Sequence, residues 1–329
     1  MVSQMKALTR EELLTKATEI AEDYQRKGYS LTLRQLYYQC VATGIIPNAD
    51  ASYKRLGDVL GDARLAGDFD MDLIEDRGRD AGGSKQLDCD IDVNEALVKA
   101  ASYVEAIPRW TISIDRWFGQ PKYVSVWVEK DALSGVFQKP CESLGVGFFA
   151  CKGYPSHSAL WQWLKKLQDA YQRSFDLVVD DEGNEYQPEE IKEAVILYFG
   201  DHDPDGWQIP RSAEENLNIF ARVHGLEVPP IRLVRLALNR DQIKKYNPPP
   251  FPAKPSSSRF KGYVKEHGLK QAWELDALKP DVLDKMVRTS VKGCWDEAIH
   301  QEWQDRARVC RARLRQKMAE PEWLTKALG

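Results

Sequence analysis

Two stretches of the chain run apolar for the length of a strand and then stop on an acid. From Tyr123 onward, Val124, Val126 and Val128 fall on one side of an extended segment, with Tyr123 and Trp127 on the other. Both sides are largely apolar, as in a strand covered on both faces within a parallel sheet. Glu129 closes this segment and a helical pattern opens at Ala132. The second run, Ile196-Leu-Tyr-Phe199, is β-branched and aromatic, ends in Asp201-His-Asp203-Pro-Asp205-Gly206, and leads into a helix predicted from Trp207. A strand over Ile231 to Leu238 and a helix over Ser156 to Tyr171, rich in Trp161, Trp163, Leu164 and Leu167, complete an α/β order. Segment 174–192 is acidic and polar and reads as a surface insertion.

Upstream, the period changes from two to 3.6. Leu13, Leu14, Ala17, Ile20, Ala21 and Tyr24 form one helical face, with Thr9 and Glu12 in capping-box spacing. After Gly28, residues Leu33, Leu36, Tyr37, Cys40 and Val41 line one face of a second helix. At that phase Tyr37 belongs to the core, whereas Tyr38 is expected to project outside the stripe with Arg34 one turn before it. A third helix, Ala51 to about Leu65, turns Tyr53, Leu56, Leu60 and Ala63 inward and Lys54, Arg55 and Arg64 outward. A connecting helix is predicted from Val93 to Ala106, broken before Pro108.

The acids carry the chemistry. Three carboxylates at alternate positions beyond a buried strand repel one another and are costly to desolvate. A hard divalent cation such as Mg²⁺ accounts for them, since it takes oxygen ligands and leaves positions open for phosphate. Ligands in open α/β sheets gather at the carboxyl ends of strands. Glu129 would therefore meet Asp201 and Asp203 if their strands are neighbours. His202, between two acids, is read as tuning the site.

Strand-Glu129-Lys130, then Lys152-Gly-Tyr-Pro155, then Asp201-x-Asp203-Pro-Asp205-Gly206, in this order and after Arg34-Gln-Leu-Tyr37-Tyr38, resembles the A subunit of type IIB DNA topoisomerases (topoisomerase VI) and its stand-alone Mini-A relatives. The resemblance implies an α/β fold with an α+β winged-helix domain over 1–80, whose wing would be Asp68 to Arg79. It implies a linker and connecting helix over 81–120 and a Toprim domain, Rossmann-like with a mainly parallel sheet, over 121–240. A Pro-rich linker and helical tail, including Trp273 to Leu278, fill 241–329. It further implies that Tyr38 attacks a DNA phosphate to give a 5′-phosphotyrosyl link, with Arg34 steadying the phenolate or phosphate. Glu129, Asp201 and Asp203 would hold Mg²⁺, Asp205 conditionally, and Glu129 would alternatively move a proton to the leaving oxygen. Lys54, Arg55, Arg77, Arg79, Lys130 and Lys152 become candidate DNA contacts. The implied partners are double-stranded DNA, a second copy whose tyrosine meets this chain's metal, and a separate ATPase subunit like that of topoisomerase VI. A Toprim nuclease using metal-activated water is the alternative mechanism, and a non-catalytic winged-helix DNA-binding protein the alternative class.

Composition limits the picture only mildly. Forty-six basic against fifty acidic residues give a net charge of −4, so any DNA-binding surface must be local. Two basic stretches qualify, Lys254 to Lys265 and Arg306 to Lys317, the second also reading as a solvated helix. Six cysteines show no zinc spacing, and no P-loop appears, which argues against an ATP motor in this sequence. No long apolar run is present, and the expected location is cytoplasmic, with the DNA.

Overall fold

The computed structural model describes residues 8–74 and 93–319. Three helices open it: α1 (Arg10–Arg26), α2 (Leu33–Ala42) and α3 (Asp50–Ala66). Thr9 and Glu12 make the expected reciprocal cap on α1, and Thr32 with Gln35 does the same for α2. These caps satisfy amides that a helix start leaves unpaired. Leu13, Ala17, Leu36, Cys40, Leu56 and Leu60 bury a shared core. Gly67, at φ 82°, ends α3 in the left-handed conformation. A short turn follows, and Ile74 pairs with Leu31 in a parallel bridge. Among the described residues there is no hairpin wing here, and Arg77 and Arg79 lie outside the described residues.

Helix α4 (Val93–Thr111) runs through Pro108 instead of breaking before it. The proline sits in the last turn, so its missing N–H orphans only the carbonyl of Val104, a residue exposed to solvent. Next come β1 (Lys122–Val128), α5 (Ser134–Leu144), β2 (Gly147–Ala150), α6 (His157–Arg173), β3 (Val178–Val179), β4 (Glu185–Tyr186), β5 (Glu193–Phe199), α7 (Pro204–Val223) and β6 (Ile231–Ala237). The order β2-β1-β5-β6 is parallel throughout. Alternation sends Val124, Val126, Val128, Leu197 and Phe199 to one face, under α5. It sends Trp127, Ile196 and Tyr198 to the other, under α6 and α7. The predicted insertion is an exposed antiparallel ribbon, β3–β4.

The remainder is α8 (Arg240–Tyr246), β7 (Phe251–Pro252), α9 (Phe260–His267), β8 (Gln271–Ala272), α10 (Pro280–Lys292) and α11 (Glu297–Met318). The Pro-rich stretch is held rather than extended into solvent: β7 pairs with β8, and Ala253, Tyr263 and Ala272 form a small core beside Trp207. Trp273 to Leu278, expected to be helical, is a strap across the sheet's carboxyl edge, pinned by an antiparallel bridge between His202 and Trp273 and helical only in a 3-10 turn at Leu275–Ala277. Trp273, Leu275 and Leu278 enter the sheet core. Helix α10 presents Leu283, Val287 and Val291, spaced one turn apart, to that same core. No described helix is long and apolar enough to cross a membrane.

Leu283 is fully buried between α10 and the sheet face. Leu283→Ala is expected to lower stability by about 2–5 kcal/mol, the range for truncating a core leucine, measured by urea unfolding followed at the tryptophans. A loss below about 1 kcal/mol would mean that α10 is not part of the sheet's core.

Candidate active site

Strands β1 and β5 are neighbours, with Val128 beside Phe199, so the residues that follow them lie together at the sheet's carboxyl edge. Glu129 and Asp201 are both buried there. The Glu129 carboxylate accepts a hydrogen bond from the Asp201 amide at 2.9 Å and a longer one from the Tyr198 hydroxyl at 3.4 Å. It has no ion pair among the described residues. Two glycines make room for it. A Cβ on Gly200 would lie 2.6 Å from the Glu129 Oε2, and one on Gly206 would lie 2.2 Å from the Asp201 carbonyl oxygen. Beneath this turn the Arg235 guanidinium donates to the carbonyls of Gly206 and Asp201, each at 2.5 Å, and lies over the Trp207 ring. Periodicity gave no hint of Arg235, a strand residue facing a loop.

Asp203 caps α7, accepting from the Gly206 amide at 2.6 Å. Asp205 turns away and pairs with Arg259 at 2.8 Å. Among the described residues no three carboxylate, imidazole or thiolate groups converge as a finished coordination shell. The cation against Asp201 is instead Lys130, whose ammonium lies 2.9 Å from Asp201, 2.7 Å from Asp276 and 3.3 Å from Glu274. Burial opposes that charge, but the three carboxylates outweigh it and hold the ammonium well above its usual pKa. Lys130 is thus committed to internal pairs and is not a free DNA contact. Burial, foremost, and neighbouring negative charge push the Glu129 carboxyl above the ordinary carboxylate range. Asp201 is raised too, by burial that Lys130 only partly offsets.

His202 occupies the other side of the turn. Its ring is fully buried among Trp207, Tyr263, His267 and Trp273, and its Nδ1 donates to the Leu238 carbonyl at 2.9 Å. Burial lowers its pKa to about 4, so it is a neutral packing group.

Tyr38 is where the sequence expectation fails. Its side chain is not free: the residue is only 6% exposed, and its hydroxyl donates to Glu274 at 2.7 Å. Arg34 is beside it as expected, but its guanidinium also grips Glu274, through Nε at 2.9 Å and through Nη2. Burial first, then the Glu274 charge, raises the tyrosine's pKa. Burial alone would raise the Glu274 carboxyl, yet Lys130 and Arg34 bring it below its usual value. Tyr38, Glu274, Lys130 and Asp201 therefore form one polar chain from α2 to the sheet edge, within a single copy. Sequence reasoning passed over Glu274 and Asp276. Glu274 stands at the N-cap of a single 3-10 turn, Leu275–Ala277, and Asp276 lies within it; no local pattern announces that turn's place over the sheet edge. Tyr37, as predicted, is core, its hydroxyl donating to Asn48 at 2.9 Å.

The remaining candidates are scattered. Lys54 is exposed, Arg55 is tied to the Leu8 carbonyl, and Lys152 reaches Asp131 at 3.1 Å. No protein-family model matches the chain, and no curated protein does.

The buried, ion-pair-free Glu129 has a stability consequence with a definite sign. A carboxyl whose folded pKa is raised favours the folded state while protonated, and that contribution is lost as pH rises from the ordinary carboxylate range through the raised value. Glu129→Gln is therefore expected to raise stability at neutral pH without divalent cation by at least about 1 kcal/mol, one pKa unit's equivalent. The check is urea unfolding in EDTA. Lower stability of the variant would show that the ionised carboxylate is already compensated.

Proposed function

We propose that this chain cleaves DNA phosphodiesters with a divalent cation at the carboxyl edge of its parallel sheet, as the resemblance to the topoisomerase VI A subunit implies. The observation that carries the reading is the pairing of β1 with β5, which brings buried Glu129 against Asp201 with Asp203 at the start of α7. Oxygen donors of this kind suit Mg²⁺, which needs only one or two protein carboxylates and fills its other positions with water and phosphate oxygens. Glu129 and Asp201 would hold it, with Asp203 beside them at the start of α7. Bound there, the cation supplies charge to a phosphate in the transition state. Asp205 is spent on Arg259 and has no part in this assignment.

In this reading Tyr38 is the nucleophile. Its phenolic proton passes to Glu274, already its hydrogen-bond acceptor, the phenolic oxygen bonds to phosphorus, and the P–O3′ bond breaks as the leaving oxygen takes a proton from solvent water. Arg34 and Lys130 hold Glu274 ionised and therefore able to accept. The N-terminal helices are taken as a winged-helix DNA reader, the sheet as a Toprim domain, and the active unit as a homodimer. Arg34 must leave Glu274 before it touches DNA, and Tyr38 parts from it only once Glu274 has taken the phenolic proton.

The burial of Tyr38 favours a second reading, hydrolysis by metal-activated water, in which the tyrosine only braces Glu274. One experiment separates the two. Supercoiled plasmid is incubated with protein and Mg²⁺, with and without protease before electrophoresis. Wild type should give protein-linked cleaved DNA, and Asp201→Asn and Asp203→Asn should each lose cleavage by at least about 100-fold, comparable to removing a preorganised charge. Tyr38→Phe should abolish both adduct and cutting, since phenylalanine has no oxygen to attack phosphorus. Robust cutting by Tyr38→Phe with free ends would establish the hydrolytic reading, and cutting by both Asn variants would refute the metal site.

A further inference from the structure

Beyond Asp305, α11 carries Arg306, Arg308, Arg311, Arg313, Arg315 and Lys317 and no acid up to its end at Met318. At about 100° per residue, Arg306, Arg313 and Lys317 fall within about 40° of one another, and Arg308, Arg311 and Arg315 fall on the opposite side. The two sides are treated differently by the fold. The first is neutralised internally. Arg313 pairs with Asp181 at 3.0 Å and Glu182 at 2.8 Å, and Lys317 with Asp181 at 3.2 Å. Arg306 stacks over Tyr186 and Trp303 and pairs with Glu302.

The second side is not. Arg308, Arg311 and Arg315 join Arg109 of α4 around a hollow of about 340 Å³ lined by these four arginines. Among the described residues its one ion pair is Arg308 with Asp305, at 2.9 Å on the surface. The Arg311 Nε donates to the Ile112 carbonyl at 2.8 Å, which fixes the guanidinium without neutralising it. The guanidinium groups of Arg109 and Arg315 have no hydrogen-bond or ion-pair partner among the described residues. Four like charges around one hollow repel, and an anion relieves them. Guanidinium forks match phosphate oxygens in pairs.

We propose that this hollow binds backbone phosphates of a nucleic-acid strand. The choice of DNA as the strand rests on the function proposed above; the phosphate chemistry does not. Arg308 to Arg315 spans about 10 Å of helix, enough for roughly three phosphates of one strand. On the next face of α4, Tyr103 and Trp110 are 58% and 60% exposed with ring centroids 5.7 Å apart. Open rings beside arginines are what a strand's bases stack on, which favours nucleic acid over an anionic lipid surface.

The test compares two variants of equal charge change, Arg308→Gln/Arg315→Gln and Arg306→Gln/Lys317→Gln. Binding to labelled single-stranded and duplex DNA is measured across a salt series, and to phosphatidylserine vesicles in parallel. The first variant should bind DNA at least about 10-fold more weakly near physiological salt, with the slope of log K against log salt smaller by about 1.5. The second should bind as wild type does. Equal effects from both variants, no effect from the first, or a loss confined to vesicles would each overturn the inference, as would wild type that binds no DNA. Cleavage is scored separately at saturating DNA. Wild type that binds through these arginines but never cuts would remove the proposed function and leave this site standing.

Discussion

The ammonium of Lys130 is the constraint around which the sheet edge is organised. It is the one cation held by Asp201, Glu274 and Asp276 together, and two of those acids belong to a strap some seventy residues downstream of the first. Removing one partner of a buried ion pair leaves the other charge uncompensated, at a cost of several kcal/mol. The strap therefore cannot lift without exposing or neutralising these groups together. Because Glu274 also takes the Tyr38 hydroxyl and the Arg34 guanidinium, the position of the N-terminal helices is tied to the same ammonium.

Next to this compensated cluster sits a carboxylate that is not compensated. Glu129 receives only neutral donors in a cradle that two glycines keep open. A chain selected for stability alone would fill or neutralise that position. A buried carboxyl with a raised pKa at a strand end is the kind of group found at functional sites, which is why the proposed cation is placed there. Asp201 is answered by Lys130 and helps anchor the strap, whereas Glu129 has no ion pair among the described residues.

Much of this was legible in the sequence, for identifiable reasons. A parallel strand buried on both faces shows itself as an apolar run, so β1, β5 and the acids that end them could be read directly. The capping box at Thr9 is local chemistry and was equally plain, while its counterpart at Thr32 emerged only with the structure. Which strands are neighbours is a long-range fact, so the meeting of Glu129 with Asp201 remained conditional until the sheet order was known. Helix phase correctly took Tyr37 inward. It failed for Tyr38 because phase describes only a helix's own surface, and what covers Tyr38 is the distant strap, through Glu274 with Ala277 in the same core. The strap is helical only over the single 3-10 turn Leu275–Ala277, because Trp273 before it is held extended by its bridge to His202.

The proposal stands or falls on whether the Glu129–Asp201 edge takes a divalent cation. The most direct measurement is anomalous diffraction from crystals grown with Mn²⁺, a Mg²⁺ substitute with its own scattering signal. The account predicts a peak about 2.0–2.2 Å from oxygens of Glu129 and Asp201, a hard-cation bond length, with the Lys130 ammonium displaced from Asp201. Ordered Glu129 and Asp201 side chains with no anomalous density between them, in crystals saturated with Mn²⁺, would contradict it.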